Sequence, residues 1–368
     1  MIQHKILVLG GYGFFGSRIC LALASDPTIT LLIAGRNIAK AQELASALKL
    51  NPAQVVCIDA RAANLTDIFL SLDIDTVIHT AGPFQGQDYA VARAAISAGA
   101  NYIDLADGRE FVAGISKLDN EARQRGVLVT SGASSLPALS SAVVDRYASR
   151  FSRITAIHTG IASGARAPGL ATMRGIFGYC GKPFTRLESR HWKTVYGWLD
   201  LQRHQFPDPV GYRLLGSCDV PDLILFPYRY QGIETVTFHA GFASNIGHLV
   251  VWGASLLVRA GLMSSLSPLV VPLNTISKWM ERTVSDKGGM FVSMQGDDAD
   301  GNSLQLKWHL IAAQNHGPHI PCGAAIALAK KLANSGELPR GAMPCMGLLT
   351  VEEYLGALHG YDIQEIPA

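Results

Sequence analysis

Apolar and polar positions divide this chain into two differently patterned parts. From residue 5 to about residue 130, short unbroken apolar runs alternate with longer stretches at helical spacing. Ile6-Leu-Val-Leu9 is the first run, and an unbroken run of this kind marks a strand covered on both faces. Ser17–Ala24 follows as a predicted helix. Five further strands are predicted over Thr30–Asn37, Gln54–Ile58, Thr76–His79, Asn101–Asp104 and Val127–Thr130, with helices over 38–49, 65–72, 87–98 and 110–125. Gly99 and Gly126 stand where helix C-caps are expected. Such alternation predicts a doubly wound parallel sheet with helices on both faces.

Beyond residue 151 the pattern changes. Ile154–Ile161 alternates like a strand, and Pro168–Tyr179 reads as a helix. Tyr212–Ser217, Leu223–Tyr230, Glu234–Phe242, Gly289–Gln295 and Leu304–Ala312 read as strands, the last two joined by a hairpin at Asp300-Gly301. This predicts a second α+β domain with a largely antiparallel sheet, inserted into the first. Helices over 321–333 and 349–358 are expected to pack back on the first domain. The expected organisation is a nucleotide domain over 1–135, a substrate or dimerisation domain over 136–320, and C-terminal helices over 321–368.

Candidate chemistry concentrates after the predicted strands. Gly10, Gly13 and Gly16, with Phe14 and Phe15 between them, lie between the first strand and first helix. There a glycine turn lets the backbone approach a diphosphate, and the helix N-terminus offers free N–H groups. At the end of the second strand an NAD site ordinarily carries an acid for the ribose hydroxyls. This chain has Arg36, with Asn37 beside it and Lys40 one turn on. A guanidinium suits a 2′-phosphate by charge and by its forked donors, so NADP(H) is expected rather than NAD(H). Asp59, after the third strand, is either an adenine contact or a helix-capping loop acid. Thr80, Ala81, Gly82 and Pro83 follow the fourth strand, where small residues face a dinucleotide crevice. Asp104 and Asp107 are the candidate acid/base or amine-binding groups. His79 reads as a core histidine. Ser135 is a candidate N-cap for a helix running to Tyr147; that helix end could hold a substrate oxygen or be an ordinary capped helix.

Composition narrows the partners. The net charge of +2 gives no electrostatic case for nucleic acid, and six scattered cysteines without a Cys-x-x-Cys pair argue for a reducing, cytoplasmic compartment and against a metal or disulfide frame. No secretory pattern opens the chain. Charged residues are only 16% of the sequence while 48% are hydrophobic, so apolar surface must be covered somewhere, in a homodimer interface or an apolar substrate pocket. Ile246–Leu273 is the most apolar stretch. His248, Arg259, Pro268 and Pro272 interrupt it, so it reads as two apolar helices split near Ser264–Pro268 and buried in the second domain or in a dimer interface, with surface membrane contact the lesser reading. Arg186, Arg190, Lys193 and Arg203 around Trp192, Tyr196 and Trp198 read as a solvated basic face, or as the lining of an anionic site. His316-x-x-His319 is opposed as a zinc pair by Pro318 between them.

Gly10-Gly-Tyr-Gly-Phe-Phe-Gly16, Ala34-Gly-Arg36, Thr80-Ala-Gly-Pro-Phe84, Ala98-Gly-Ala-Asn-Tyr-Ile-Asp104 and Ser131-Gly-Ala-Ser-Ser-Leu-Pro137 together resemble the saccharopine dehydrogenase-like oxidoreductases over residues 1–140. The stretch around Gly296–Gly301 and Gly341-Ala342 is similar more loosely. The resemblance implies an NADP-binding Rossmann domain, a second domain that shapes the substrate site and often dimerises, and hydride transfer to or from a small-molecule substrate. It does not imply saccharopine, and 160–290 carries no motif that fixes a substrate. The Tyr-x-x-x-Lys pair of short-chain reductases is missing, since Arg93 stands four residues after Tyr89. A non-catalytic NADP(H) sensor and an enoyl-reductase-like enzyme of lipid metabolism are the alternatives.

Overall fold

The computed structural model describes residues 3–164, 170–272, 275 and 284–368. The chain folds as two compact units, Met1–Ala142 with His319–His359, and Val143–Pro318 with Gly360–Ala368.

The first unit is a seven-stranded, wholly parallel sheet. Its elements run β1 (His4–Leu9), α1 (Gly16–Leu23), β2 (Ile29–Gly35), α2 (Ile38–Ala47), β3 (Val55–Cys57), α3 (Leu65–Ser71), β4 (Thr76–His79), α4 (Ala90–Ala98), β5 (Asn101–Asp104), α5 (Arg109–Gly114), α6 (Asp119–Arg125) and β6 (Leu128–Ser131). The spatial order is β3-β2-β1-β4-β5-β6, extended beyond β6 by a strand at Gly341–Pro344. Ile6 to Leu9 are all buried, as an unbroken apolar run in a central strand requires. Gly99 and Gly126 both take the left-handed C-cap conformation.

Two expectations need correction here. The single helix over 110–125 is two helices joined by a 3₁₀ turn at Ile115–Leu118. The Tyr89 hydroxyl donates to the Phe111 carbonyl at 2.7 Å, and the Ile115 N–H turns to Val112 instead. The helix therefore tightens at that point. Ser135 does not cap a helix: Ser134 holds the cap position without a side-chain bond, and the Ser135 hydroxyl meets Tyr354.

The second unit begins in α7 (Ser140–Tyr147), which straddles the division, and continues with β7 (Arg153–Ala162), α8 (Leu170–Tyr179), β8 (Pro183–Glu188), β9 (His191–Tyr196), β10 (Gln202–Gln205), β11 (Tyr212–Ser217), α9 (Asp222–Arg229), β12 (Thr235–Gly241), α10 (Asn245–Arg259), β13 (Gly288–Asp297) and β14 (Ser303–Ala312). In the first unit, α11 (Gly323–Ala333), β15 (Gly341–Pro344) and α12 (Val351–Gly356) follow. The expected C-terminal block does not stay together: β16 (Ile363–Ile366) pairs antiparallel with β14. The second sheet runs β10-β11-β12-β7-β13-β14-β16, and only β12 and β7 are parallel neighbours. Ile157, Phe238, Val292 and Trp308 form its apolar side.

Leu223–Tyr230, expected as a strand, is helix α9. A short apolar run does not distinguish strand from buried helix by itself. Leu223 and Phe226, three apart, are both fully buried on one face, and Arg229 and Tyr230 reach Asp145 from its end. The basic stretch is also not a solvated face throughout. Arg186 is buried, pairs with Asp200 at 2.9 Å and donates to the Ser217 hydroxyl at 2.9 Å. Of the expected helix at 168–179, Pro168 and Gly169 lie outside the described residues, as does Leu273 of the apolar stretch. No helix among the described residues is long and apolar enough to cross a membrane.

Candidate nucleotide site

In the parallel sheet β1 and β4 are neighbours, with Leu9 beside His79. The chain leaves them for strands on opposite sides, so the loops after β1 and β4 diverge and open a crevice at the sheet's C-terminal edge. The turn 10–16 and the loop 80–83 form its two lips.

Close packing explains the glycines. Gly10 has φ +88°, and a Cβ there would lie 2.9 Å from Thr80 Oγ1 and 3.1 Å from Ala81 N. A Cβ on Gly16 would lie 2.3 Å from the Gly10 carbonyl oxygen and 2.8 Å from Thr80 Oγ1. Thr80 is itself tethered to β1, its N–H and its hydroxyl both donating to the Leu9 carbonyl, at 2.9 and 3.0 Å. The glycines thus let the turn fold onto itself and onto the opposite lip. One group of donors stays open. The N–H groups of Phe14, Phe15 and Gly16 make no hydrogen bond among the described residues, and α1 has no side-chain cap. Those N–H groups and the helix dipole are what a diphosphate requires. Arg18 donates to the Phe14 carbonyl and lies over the Phe14 ring, 4.2 Å from its centroid, which fixes the turn's outer side.

At the end of β2 the turn and the basic group come together through a residue that sequence reasoning passed over. The Tyr12 ring lies against Gly35, where a Cβ would come 2.4 Å from Tyr12 Cε1, and the Tyr12 hydroxyl accepts the Asn37 N–H at 2.9 Å. Asn37 Oδ1 in turn accepts the Lys40 N–H at 3.1 Å and caps α2. Asn37 is therefore a structural cap, while Arg36 and Lys40 are exposed and carry no side-chain hydrogen bond or ion pair among the described residues. Asp59 is an exposed loop acid whose Oδ1 accepts the Arg61 N–H at 3.0 Å. Gln87, also unanticipated, donates to the Ala81 and Pro83 carbonyls at 3.1 and 2.6 Å and so shapes the lip 80–83. Tyr12 lies within the glycine motif but is not one of its spaced glycines, and Gln87 belongs to no motif; only the packing of Tyr12 on Gly35 reveals its place. Tyr12→Phe is expected to weaken NADPH binding by about 0.5–1.5 kcal/mol, since it removes one hydrogen bond that orients Arg36. Unchanged affinity by titration calorimetry would assign Tyr12 to packing alone.

The two aspartates differ sharply. Asp104 is fully buried; its Oδ1 accepts the Ala106 N–H at 2.9 Å, the Ser131 hydroxyl at 2.8 Å and the Gly132 N–H at 3.0 Å. It clamps the loops after β5 and β6 to each other. Burial pushes its carboxyl up to about 6 despite these donors. Tyr102, two residues earlier on the same strand, bonds His79 Nδ1 at 3.0 Å, and burial holds His79 down at about 4, neutral. Asp107 is open to solvent at its surface yet ringed by protein. Partial dehydration raises its carboxyl, against the lowering effect of the Gln85 amide, whose Nε2 donates to Oδ1 at 3.0 Å.

A family model for the saccharopine dehydrogenase NADP binding domain matches residues 6–156. Among curated proteins no sequence matches significantly. Among solved structures, the chain is similar to saccharopine dehydrogenase (L-Glu forming) from Saccharomyces cerevisiae, at TM-score 0.68 and 13% identity over 99% of this chain and 100% of that one. It is also similar to an amine dehydrogenase from Mycobacterium smegmatis, at TM-score 0.50 and 11% identity over 95% of each chain. At these identities the likeness is one of fold. The matched stretch spans the strand, the glycine turn and both lips of the crevice, so residues 6–156 carry the saccharopine dehydrogenase NADP binding domain.

Proposed function

We propose that this protein is an NADP(H)-dependent oxidoreductase that transfers hydride to or from a small-molecule substrate. One observation carries the choice of cofactor: Arg36 ends β2 exposed and unpaired, with Lys40 one helical turn on and the open N–H groups of the turn on the neighbouring strand. A cation left without an internal partner at that edge is poised for a 2′-phosphate. The turn 10–16 would hold the diphosphate, and Thr80–Pro83 would border the nicotinamide half. The bound dinucleotide supplies the hydride; the protein's own part is positioning and proton handling. Asp107, open to solvent and with a raised carboxyl, is the proton-handling candidate. Asp104 is a positioning residue that holds the two loops beside it.

Arg36→Ala is expected to cost NADPH about 1.5–3 kcal/mol of binding and to leave NADH unchanged. Equal losses for both cofactors would overturn the assignment. The burial of Asp104 favours one rival, a sensor that binds NADP(H) without turnover. NADPH oxidation against imino acids, enones and ketones separates the two: tight binding with no turnover across the panel supports the sensor.

A further inference from the structure

We propose that Arg213 on β11, with His204, His309 and Lys307 beside it, forms an oxyanion site in the second unit that takes a phosphate or carboxylate group of a small molecule. Arg213 is 8% exposed. Among the described residues its guanidinium makes one hydrogen bond, from Nη1 to the carbonyl of the adjacent Tyr212 at 3.0 Å. Its Nε is buried with no partner. Burial alone pulls the ionisation of this group downward, and no carboxylate opposes the pull. A guanidinium nevertheless stays charged at any ordinary pH. Other arginines of the unit show the usual arrangement: Arg186 meets Asp200 at 2.9 Å, and Arg146 pairs with Glu365. A desolvated charge is tolerated when a counter-charge lies beside it. At Arg213 a ligand would supply that charge.

The surroundings repeat the sign. His204 stands directly opposite Arg213 across the β10–β11 pair, so the two side chains leave the same face. The His204 ring stacks on Phe291 with centroids 3.8 Å apart, and its Nε2 lies 3.4 Å from His309 Nε2. His309 is opposite Phe291 on β14, and Lys307, two residues before it, shares its face. Lys307 is exposed, with no hydrogen bond or ion pair among the described residues. Burial first, then His309 and Lys307, holds His204 down at about 4, and no acid acts in the other direction. A guanidinium, an ammonium and two imidazoles thus meet on one face, graded from exposed Lys307 to buried Arg213. A metal ion would suit the imidazoles but not the two cations, and no group of three metal-ligating side chains occurs among the described residues. An oxyanion suits all four, through the forked donors of the guanidinium and charge-assisted bonds from the other three.

The test is thermal unfolding of the full chain in chloride, in inorganic phosphate and in glutarate, at pH 7 and equal ionic strength. Tryptophan fluorescence reads the second unit, which holds all five tryptophans. Phosphate also suits Arg36, so each measurement is repeated in Arg36→Ala. Wild type and Arg36→Ala are both expected to show a saturable rise in midpoint with phosphate or with glutarate, and the ion that acts identifies the group on the ligand. Arg213→Met is expected to weaken that ion about tenfold or more. In chloride the same variant should unfold at no lower temperature than wild type, because methionine fills the volume without a buried charge. Lys307→Gln, an exposed change, is expected to weaken the ion about two- to fivefold. No rise with either anion, or a rise lost in Arg36→Ala, would overturn the proposal. So would a rise kept in Arg213→Met, which marks a general salt effect, or a lowered chloride midpoint in that variant, which marks the arginine as structural. NADPH affinity in Arg213→Met is expected to match wild type, so failure here is distinct from failure of the cofactor assignment.

Discussion

Gly16→Ala is expected to weaken NADPH binding by one to two orders of magnitude. A Cβ at this position would lie 2.3 Å from the Gly10 carbonyl oxygen, 2.8 Å from Thr80 Oγ1 and 2.9 Å from Gly11 Cα. Gly10 and Gly11 offer only backbone atoms to yield, and Thr80 is anchored twice to the Leu9 carbonyl. The turn must therefore open, carrying the free N–H groups of Phe14, Phe15 and Gly16 away from the position a diphosphate would take. Overpacking of this kind costs about 1–3 kcal/mol, part of it in the stability of the first unit. All five tryptophans fall in the second unit, so their fluorescence on unfolding is an internal control that should not move. Wild-type NADPH affinity in Gly16→Ala would mean that the cofactor does not use this turn.

Asp104 should make the first unit's stability fall as pH rises from 4 to 7. Its folded carboxyl, at about 6, lies above the ordinary 3.8, so the folded protein binds that proton more tightly than the unfolded chain does. The stabilisation is complete below about pH 4 and is lost as pH rises through 6, a change of about 3 kcal/mol. Asp104→Asn keeps an acceptor for Ala106, Ser131 and Gly132 and removes the ionisation, so its advantage over wild type should grow across that range. Asp104→Ala leaves three buried donors unsatisfied and should be less stable than Asp104→Asn by about 2–4 kcal/mol at every pH. Far-UV circular dichroism in urea at pH 5 and 7.5 measures both differences. If alanine proves as stable as asparagine, Asp104 is not a clamp, and its catalytic reading regains ground over the positioning one.

Much of the nucleotide half was legible from local pattern. β4 and β5 fall on the predicted residues, Gly99 and Gly126 cap as expected, and Arg36 stands exposed at the end of β2. Each of these depends on neighbours a few positions away: a short apolar run bounded on its far side by turn residues, or a glycine free to adopt positive φ. The seventh strand, β15, was not legible, because a four-residue segment beginning with glycine shows no strand periodicity and is held by pairing with β6, about two hundred residues earlier. Tyr12 was passed over for the same reason, since its partners Gly35 and Asn37 lie beyond the first helix.

By itself, then, the order of apolar and polar residues determined a doubly wound sheet, a glycine turn at its first helix, and a cation where a nucleotide's adenosine end would lie. Tertiary packing alone decided that α9 is a helix, that Arg186 is buried in an ion pair, and that Asp104 is held by three donors. The division has one physical cause. Backbone geometry and strand burial are settled by residues close along the chain, whereas the protonation, pairing and exposure of a side chain depend on groups that only folding brings beside it.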